Sequence, residues 1–493
     1  MKGALLTLAL WMDAGLYDPH VGYYTAGRVR FGAGHDFWTY PERLSPTFGR
    51  LVASRLARML AHLEAHGGLP PGEPFTVVEL GAGDGTLARD ICDAALEEAP
   101  RDPLMRRLEQ RLRYLIGERS PSLRRVQQAT CASHGARVAH LPQESGDELP
   151  EAMPWRGVLL SNELIDVFAH HRVRPLERTL LALEPRVSGR EEPLGLAELL
   201  AKVAPQPLTV TPRWALLDSH PDAPLISPYL EALAPVVARR AAAHPAPADL
   251  LVAPGVTRLA RWTAEHLLAG WALTIDYGGT PVHAMDPEPT MPHLRVYPRP
   301  AGADERSYGG ADAVAELGWP GTQDITAEID FGHLAWEGER AGLRPVHFGP
   351  QGHLREPGGL IDPMDRSERA RVEAALVRKY AFGQVDAAMA AWEVARAFRD
   401  RSPGFRLLLQ QARVPVEPFA LGHPTDPIRI GELAQLRPGV TAEVIVQALA
   451  TAGLPPDVAR ALRPWGCPVA DLDDAGLREH TRAVLAALGA LLA

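Results

Sequence analysis

Short apolar runs separated by helical patterns make up most of this chain. Predominantly apolar segments at 75–78, 112–117, 157–160 and 271–275 are rich in Val, Leu and Ile and are too short for typical helices. Such runs are typical of parallel strands that are covered on both faces. Because segments with apolar residues three and four positions apart lie between these runs, the pattern predicts an α/β fold with a mostly parallel sheet.

Seven strands are expected in this sheet. The four runs above supply the first, second, fourth and fifth strands, and weaker patterns at 136–141, 344–348 and 405–409 supply the others. A further strand-like piece is Leu180–Leu183. Helical spacing, with Asp324 or Thr326 as the cap of one helix, predicts helices at 4–16, 46–66, 87–98, 101–113, 229–243, 254–269, 324–342 and 365–398.

The same patterns divide the chain into three parts. Residues 1–74 are expected to form N-terminal helices and an aromatic lid loop, and residues 75–420 the α/β domain. Within that domain, the proline-rich residues 172–265 are interpreted as an insertion that shapes a substrate pocket, and residues 281–322 as a long loop. Residues 421–493 are expected to form a small helical appendage.

Composition narrows the functional class. The chain has 493 residues, 46% of them hydrophobic and 23% charged, with a net charge of -9, which is typical of a globular protein without a nucleic-acid footprint. No apolar run approaches about 20 residues, so no membrane partner or span is expected. The apolar start is too short for a signal peptide. The three cysteines are far apart, which indicates a reducing, cytoplasmic location.

The end of the first strand is the strongest candidate for ligand binding. Glu79 ends the apolar run, and Gly81, Gly83 and Gly85 follow at alternate positions before a helical pattern. A strand, a glycine turn and a helix allow the backbone to approach a nucleotide closely. The dinucleotide pattern G-x-G-x-x-G needs a glycine where this chain has Thr86. The pattern therefore favours S-adenosylmethionine, with a purely structural glycine turn as the alternative.

Acidic and amide side chains follow two further strands. Glu118 ends the second strand, where an acid can hydrogen-bond ribose hydroxyls, and a surface acid is the alternative. Asn162, Glu163, Asp166 and His170 follow the fourth strand. Because the carboxyl ends of parallel strands face the ligand-binding edge of a sheet, these four are the best catalytic candidates. Capping of a following helix is the structural alternative.

An aromatic and glycine-rich stretch precedes the first strand. It contains Tyr17, Tyr23 and Tyr24, and residues 31–42 read Phe-Gly-Ala-Gly-His-Asp-Phe-Trp-Thr-Tyr-Pro-Glu. Structured loops of this kind often carry function. One interpretation is a lid over the cofactor, since aromatic faces attract a cation such as a sulfonium. The other is a loop that buried aromatic side chains hold in place.

An ordered set of motifs spans about residues 4–412. The motifs are Gly22-Tyr-Tyr24, Phe31–Glu42, Glu79–Thr86, Glu118–Pro121, Ser161–Asp166, Ile275–Gly278, Leu294–Tyr297, Asp324–Ala327 with Asp330-Phe331, and Phe348–Gly352. Together they closely resemble one family, the MidA-like (DUF185) methyltransferases, which includes a mitochondrial complex I assembly factor that is a protein-arginine methyltransferase. The resemblance implies a class I Rossmann-like methyltransferase fold and S-adenosylmethionine as methyl donor.

The resemblance also implies a set of cofactor contacts. The family's glycine loop usually reads G-P-G-R-G, whereas this chain has Gly-Ala-Gly-Asp-Gly. Tyr40 replaces the alanine of the usual T-A-P-E, and Glu328 stands where a histidine is common. These departures leave cofactor binding expected and the protein-arginine substrate open. The implied cofactor contacts are Glu79, Gly81, Ala82, Gly83, Gly85, Thr86, Glu118, Asn162, Thr39 and Pro41.

The acceptor determines which residues are needed for catalysis. Methyl transfer is an in-line displacement, so positioning is a large part of the catalysis. An arginine acceptor has a pKa of about 12.5 or above and must lose a proton around the transfer. The carboxylates of Glu163 and Asp166 would hold its guanidinium, with Glu42 or Asp276 helping from loops. A hydroxyl acceptor instead needs a base such as His170.

Three functions stay open at this level. The first is methylation of a protein or peptide side chain, with arginine as the leading candidate. The second is methylation of a small molecule such as a natural-product intermediate, and the third is a non-catalytic assembly factor that keeps the fold. A homodimer is the oligomeric state considered. No metal site is expected, because the histidines at 283, 293, 333, 347 and 353 lack metal-ligand spacing.

Overall fold

The structure of the protein is a computed structural model. The predicted lid stretch at 31–42, the predicted helix at 365–398 and most of the predicted appendage at 421–493 lie outside the described residues. The structure describes residues 5–27, 29, 45–144, 147–195, 198, 208–243, 247–285, 293–298, 308–309, 314, 316–354, 405–412, 417–423, 425–426 and 428–434.

Strands and helices alternate through the described chain. The strands are β1 (Phe75–Leu80), β2 (Leu112–Gly117), β3 (Val138–His140), β4 (Trp155–Asn162), β5 (His171–Arg174), β6 (Thr179–Arg186), β7 (Thr209–Leu216), β8 (Leu250–Val252), β9 (Leu267–Gly279), β10 (Leu294–Pro298), β11 (Tyr308–Gly309), β12 (Gln323–Ala327), β13 (Ile329–Asp330), β14 (Arg344–Pro350) and β15 (Phe405–Gln411). The helices are α1 (Leu8–Tyr17), α2 (Thr47–Ala65), α3 (Thr86–Glu98), α4 (Pro103–Arg111), α5 (Pro121–Thr130), α6 (Ala223–Ala232), α7 (Ala234–Ala243), α8 (Pro254–His266), α9 (Pro281–Ala284), α10 (Phe331–Ala341) and α11 (Ile430–Leu433).

A central sheet organises the molecule. Among the described residues, its strands run in the order β14-β15-β9-β4-β1-β2-β3, with β13 paired to the end of β9. Strands β3, β2, β1, β4 and β9 run parallel to one another, and β15 is antiparallel to both β9 and β14. The prediction of a seven-stranded, mostly parallel sheet is confirmed.

The register of this sheet brings several strand ends to one edge. Leu80 of β1 pairs with Gly117 of β2 on one side and with Ser161 of β4 on the other. Asn162 of β4 in turn pairs with Ile275 of β9. Because all four strands point the same way, the residues that follow them lie side by side at the carboxyl edge. This is the edge where ligands bind in open α/β sheets.

Helices cover both faces of the central sheet. Helices α2, α3 and α4 pack on one face, where Leu56 and Trp271 are fully buried. Helices α8 and α10 pack on the other, around Leu259 and Leu408. Burial of each such side chain contributes about 2 kcal/mol. The sheet is therefore a rigid support for the residues at its carboxyl edge.

The insertion contains a second sheet that the sequence predicts only in part. Strands β5 to β8 pair antiparallel in the order β7-β6-β5-β8, whereas the sequence pattern identified Leu180–Leu183 alone as strand-like. Pro212 lies inside β7 and weakens its strand pattern. Helix α1 packs against this sheet through Leu8 and Trp11. The N-terminal helix thereby joins the insertion and reaches the carboxyl edge of the central sheet.

The helix predicted at 324–342 starts later in the structure. Both predicted caps, Asp324 and Thr326, lie in strand β12, which pairs with β10. Helix α10 begins at Phe331, and the carboxylate of Asp330 caps it by accepting two hydrogen bonds from backbone N–H groups of the first turn, at 2.9 and 3.2 Å. The predicted start was wrong because Asp and Thr are good caps in isolation, whereas pairing with β10 fixes this segment as a strand.

The stretch at 281–322, predicted as a loop, also contains regular structure. Helix α9 opens it, and strands β10 and β11 interrupt it. The prediction was wrong there because prolines and glycines flank the short strands, and these residues are typical of loops. None of the described helices is long and apolar enough to cross a membrane.

Candidate active site

A cavity of about 410 Å³ opens at the carboxyl edge of the central sheet. Its walls come from the turn after β1, the end of β2, the segment after β4, helix α1 and the starts of α6 and α8. Of the residues predicted from the sequence, those that line this cavity are Glu79, Gly81, Ala82, Gly83, Glu118, Asn162, Glu163 and Asp166.

The glycine turn approaches the cavity with bare backbone. Gly81 and Gly83 have φ angles of 67° and 55°, in the left-handed region that favours glycine. A Cβ on Gly81 would lie 2.6 Å from Leu164 Cδ1. Gly85 and Thr86 do not line the cavity. They start helix α3, where the Thr86 N–H donates to Asp84 Oδ1 at 2.9 Å.

Glu79 ends β1 below the turn and is 2% exposed. The Tyr114 hydroxyl donates to its Oε2 at 2.8 Å. Burial raises the pKa of Glu79 to about 7, and this hydrogen bond only partly opposes the rise. A positively charged or hydrogen-bond-donating ligand above the turn would stabilise its ionised form.

Glu118 follows β2 and is held from two directions. Its Oε1 accepts from the Ser120 N–H at 2.8 Å, and its Oε2 accepts from the Gln127 side-chain amide at 3.0 Å. Burial raises the pKa of Glu118, although both hydrogen bonds favour the charged form. Each carboxylate oxygen has a second lone pair, so the group can still accept hydrogen bonds from a diol.

Asn162 and Glu163 turn the chain sharply after β4. Glu163 has a φ angle of 50°, a strained value for a residue with a side chain and one often found at functional sites. The Asn162 amide donates to Glu163 Oε1 at 3.3 Å, and its own Oδ1 is buried with no donor among the described residues. A 3-10 turn at Ile165–Val167 follows without a side-chain cap, so helix capping does not explain these residues.

Asp166 is buried in the cavity wall. The Tyr277 hydroxyl donates to its Oδ2 at 2.6 Å, whereas Oδ1 makes no hydrogen bond of normal geometry within the described chain. Burial raises the pKa of Asp166 to about 6, and Tyr277, Arg295 and nearby backbone N–H groups limit the rise. One oxygen is thus fixed by Tyr277, and the other is buried in the wall of the cavity.

Asp276 supports this turn from β9. Its Oδ2 accepts from the N–H groups of Ile165 and Asp166 at 3.1 and 3.3 Å, and its Oδ1 accepts from the Tyr277 N–H at 2.8 Å. Burial, reinforced by the nearby Asp166 carboxylate, raises the pKa of Asp276 well above its usual range. Asp276 therefore organises the backbone behind Asp166 rather than lining the cavity.

His170 lies behind the cavity wall rather than on it. Its Nδ1 is 2.7 Å from the Phe168 carbonyl oxygen, which can only accept, so Nδ1 carries the hydrogen. Burial lowers the pKa of His170 to about 4. The predicted cofactor contacts Thr39 and Pro41 and the predicted catalytic residue Glu42 lie outside the described residues.

Aromatic side chains of the N-terminal segment do reach the cavity. Tyr17 and Tyr24 line it and stack with ring centroids 5.6 Å apart. Their hydroxyls donate to the Val167 carbonyl at 3.0 Å and to Asp324 Oδ1 at 2.9 Å. The Arg119 guanidinium lies 4.1 Å over the Tyr17 ring. In the described part of the aromatic stretch, hydrogen bonds therefore fix the rings as a wall.

One cluster of metal-ligand type occurs in the described chain. His171, His220 and Asp222 offer ligand atoms that lie within 4.8 Å of one another. His171 Nε2 is 2.9 Å from Asp222 Oδ2, and the Asp222 N–H donates to His220 Nδ1 at 3.1 Å. These internal hydrogen bonds already account for the arrangement.

Tyr277 and Gln127 are among the contributors to the site that escaped sequence reasoning. Tyr277 was visible only as part of the fifth-strand motif, and its position next to Asp276 at a strand end was the available signal. Gln127 carries no signal in the sequence, because an amide in a polar helical pattern is typical of a solvated surface. The structure buries it completely beside Glu118.

Comparison with known proteins identifies the family. Residues 51–349, more than half of the 493-residue chain, match the family model described as "Putative S-adenosyl-L-methionine-dependent methyltransferase". The chain belongs to this family. The methyltransferase therefore uses S-adenosylmethionine, and the predicted resemblance and cofactor are confirmed.

Solved structures share its fold. A COG1565 superfamily member from Burkholderia thailandensis, bound to S-adenosyl-homocysteine, is 21% identical with a TM-score of 0.54, over 84% of this chain and 89% of that chain. A native crystal structure of a COG1565 superfamily protein from the same organism is 21% identical with a TM-score of 0.53, over 85% and 90% of the two chains. This likeness and the strand order together confirm the class I Rossmann-like fold.

A curated relative matches a shorter segment. The protein arginine methyltransferase NDUFAF7 homolog, mitochondrial, of Drosophila melanogaster is 42% identical over 86 residues. The match spans 17% of this chain and 18% of the fly protein.

The cavity suits the cofactor chemically. Asn162 Oδ1 and Gln143 Oε1 are buried acceptors without donors among the described residues, and both side chains line the cavity. The cofactor carries an ammonium group, an adenine amino group and ribose hydroxyls, all of which donate. Bare glycine backbone, acceptor oxygens and the Glu118 carboxylate thus match the groups it presents.

Proposed function

We propose that this methyltransferase acts on a cationic nitrogen acceptor, the guanidinium group of an arginine side chain in a protein or peptide. The observation that carries the proposal is the Asp166 carboxylate, whose Oδ1 is buried in the cavity wall without a hydrogen bond of normal geometry among the described residues. An unsatisfied buried group costs about 1–3 kcal/mol, and more when it is charged. An acceptor with N–H groups and a positive charge would remove this cost.

The cofactor side of the cavity has its own residues in this proposal. Gly81 and Gly83 would hold the amino-acid end of S-adenosylmethionine, with Asn162 Oδ1 accepting from its ammonium. Glu118 would accept from the ribose hydroxyls, and Gln143 Oε1 would accept from the adenine amino group. When bound, the cofactor supplies an electrophilic methyl group on a sulfonium sulfur, and the sulfur leaves as the new N–C bond forms.

The charge of the acceptor side favours a cation. Both guanidinium groups there are already engaged, since Arg258 pairs with Glu148 and Arg119 lies over the Tyr17 ring. Carboxylates outnumber them, and an excess of acid in a cleft concentrates cationic ligands. Besides Glu79, Asp84 and Glu118, the carboxylates that line the cavity are Asp13, Glu148, Glu163, Asp166 and Asp222.

The same carboxylates solve the proton problem of guanidinium methylation. A guanidinium nitrogen that gains the methyl group before it loses a proton carries an additional positive charge, becomes strongly acidic and must release that proton. Asp166 Oδ1 is the proposed acceptor of that proton, because a pKa of about 6 keeps the group ionised at neutral pH. Glu163, beside it in the wall, would share in orienting the guanidinium. His170 has no such role here, since it lies behind the wall.

The fly relative supports the protein-arginine acceptor, because its name states that chemistry and its matching segment is 42% identical. Within the site, the acidic wall supports the same choice over a carboxylate acceptor, which would need a positive neighbour free to bind it. A small-molecule acceptor and a non-catalytic assembly role are the outcomes that the experiment separates from it.

The experiment is methyl transfer from tritium-labelled S-adenosylmethionine into cell lysate, with products separated by size and then hydrolysed. We expect label in macromolecules and, after hydrolysis, in methylated arginine. Asp166→Asn should bind the cofactor normally by calorimetry and lose transfer. Asp218→Asn, at an exposed carboxylate paired with Arg178, is the matched control and should change neither. Label in small metabolites alone, or no transfer despite cofactor binding, would overturn the proposal.

A further inference from the structure

Gln127 occupies a central position under the cofactor side of the cavity. It lies on α5, its side chain is fully buried, and it contacts three different segments. Its Nε2 donates to the Gly83 carbonyl at 2.9 Å and to Glu118 Oε2 at 3.0 Å. Its Oε1 lies 3.0 Å from His140 Nε2.

The partners fix the orientation of this amide. A carbonyl and a carboxylate only accept, so both must face the NH₂ group, and Oε1 must face His140. His140 therefore presents an N–H at Nε2. Both amide hydrogens are used, and the oxygen accepts one hydrogen bond, so the buried group is satisfied.

These contacts join the ends of three neighbouring strands. Gly83 belongs to the turn after β1, Glu118 follows β2, and His140 ends β3. Helix α5 packs closely against the turn, since a Cβ on Gly85 would lie 3.2 Å from Gln127 Cα. One helical turn later, Cys131 Sγ lies 3.6 Å from the Gly85 carbonyl oxygen. Gln127 of α5 and Cys131, which directly follows the helix, thus pack against the glycine turn.

We propose that Gln127 is a positioning residue for the cofactor: it holds the glycine turn and the Glu118 carboxylate in a fixed relation. A carboxylate held by Gln127 on one side keeps its remaining lone pairs directed to the ribose side of the cavity. Without the amide, Glu118 would rotate or take up a proton, because it is buried. This role concerns the binding of S-adenosylmethionine and does not depend on the identity of the methyl acceptor.

The test uses Gln127→Glu, which keeps the size of the side chain and replaces both donors with a carboxyl group. When ionised, that carboxyl repels Glu118 and the Gly83 carbonyl; when protonated, it can still donate to one of them. We expect affinity for S-adenosylhomocysteine, measured by calorimetry, to fall several-fold at pH 6 and at least tenfold further at pH 9. The unsubstituted protein should show a much flatter profile.

Gln128→Glu is the matched control, because the neighbouring residue lies on the same helix and is exposed. It adds the same charge and should bind the ligand normally at both pH values. Gln127→Met removes both donors without adding charge, and we expect at least tenfold weaker binding. Each variant is first shown to be folded by its thermal unfolding transition.

The proposal is overturned by either of two results. One is native affinity in folded Gln127→Met. The other is a pH profile of Gln127→Glu that matches that of Gln128→Glu, since a merely structural amide would not make cofactor affinity depend on proton binding.

Discussion

Replacing Tyr277 by phenylalanine tests how the site controls Asp166. The Tyr277 hydroxyl donates to Asp166 Oδ2 at 2.6 Å, which stabilises the ionised carboxylate. Burial already raises the pKa of Asp166 to about 6. Tyr277→Phe removes the donor and keeps the ring, so the pKa should rise further. If the ionised Asp166 carboxylate is the active form, activity must then require a more alkaline pH.

The size of the effect follows from the hydrogen bond. A hydrogen bond to a charged group is worth about 1.5–3 kcal/mol, and about 1.4 kcal/mol corresponds to a tenfold change in a proton equilibrium. The pKa of Asp166 should therefore rise by about one to two, from about 6 to between about 7 and 8. Near pH 6.5 the ionised fraction, and with it kcat/KM, should fall by about threefold for a pKa of about 7 and by about 25-fold for a pKa of about 8.

The assay is the pH profile of kcat/KM for methyl transfer by the unsubstituted protein and by Tyr277→Phe. The acid limb should move to higher pH, and the two rates should converge above about pH 9. Tyr229→Phe is the matched control, because the Tyr229 hydroxyl donates to the buried Asp330 carboxylate, which does not line the cavity. An unmoved acid limb in Tyr277→Phe, or an equal displacement in Tyr229→Phe, would refute the reasoning.

Three further predictions concern other parts of the site. Glu163→Gln should leave S-adenosylhomocysteine binding within about twofold and lower kcat by at least about tenfold, since it removes a charge that orients the acceptor; unchanged turnover would contradict its role. Gly83→Ala and Gly67→Ala each place a Cβ at a positive φ, of 55° and 70°, and should each cost about 1–2 kcal/mol of stability, but only Gly83→Ala should weaken cofactor binding in calorimetry. Glu79 has a pKa raised from 4.5 to about 7, so its ionisation disfavours folding increasingly as pH rises from 4.5 to 7, by about 3 kcal/mol in total. Denaturant unfolding of the cofactor-free protein should show that loss, and Glu79→Gln should lack it; parallel pH profiles would contradict the assignment.

Strand periodicity in the sequence was enough to predict the central sheet. The runs at 75–78 and 271–275 are buried on both faces of the sheet. A strand in that position needs nearly continuous apolar residues, whichever helices cover it. The position of Glu79, Glu118 and Asn162 at strand ends then placed them at one edge. For this reason the strand-end residues of the cavity lining were predictable, whereas those from α1, from the loop after β3 and from the starts of α6 and α8 were not.

The antiparallel sheet of the insertion and the start of α10 were not predictable in the same way. Pro212 within β7 weakens a local pattern that pairing with β6 overrides. Asp324 and Thr326 read as helix caps until the partner strand β10 is known. These errors arise from contacts between segments that are distant in the sequence.

The roles within the site depend on which atoms meet. Glu163 and His170 both follow β4 in the sequence, yet His170 faces a backbone carbonyl behind the wall and Glu163 lines the cavity. Gln127 and Gln128 are adjacent and identical in type, and only burial distinguishes them. Sequence spacing predicted that such residues lie in one region, but it could not predict which atoms they contact.

The most direct test of the account is the crystal structure of the methyltransferase with S-adenosylhomocysteine and an arginine-containing peptide. The measured quantity is the distance from Asp166 Oδ1 to the nearest guanidinium nitrogen. We expect a hydrogen bond of about 2.7–2.9 Å, with the cofactor product bound on the Gly81–Gly83 turn. A guanidinium bound elsewhere, or a cavity in which Asp166 Oδ1 contacts only water while the peptide is in place, would contradict it.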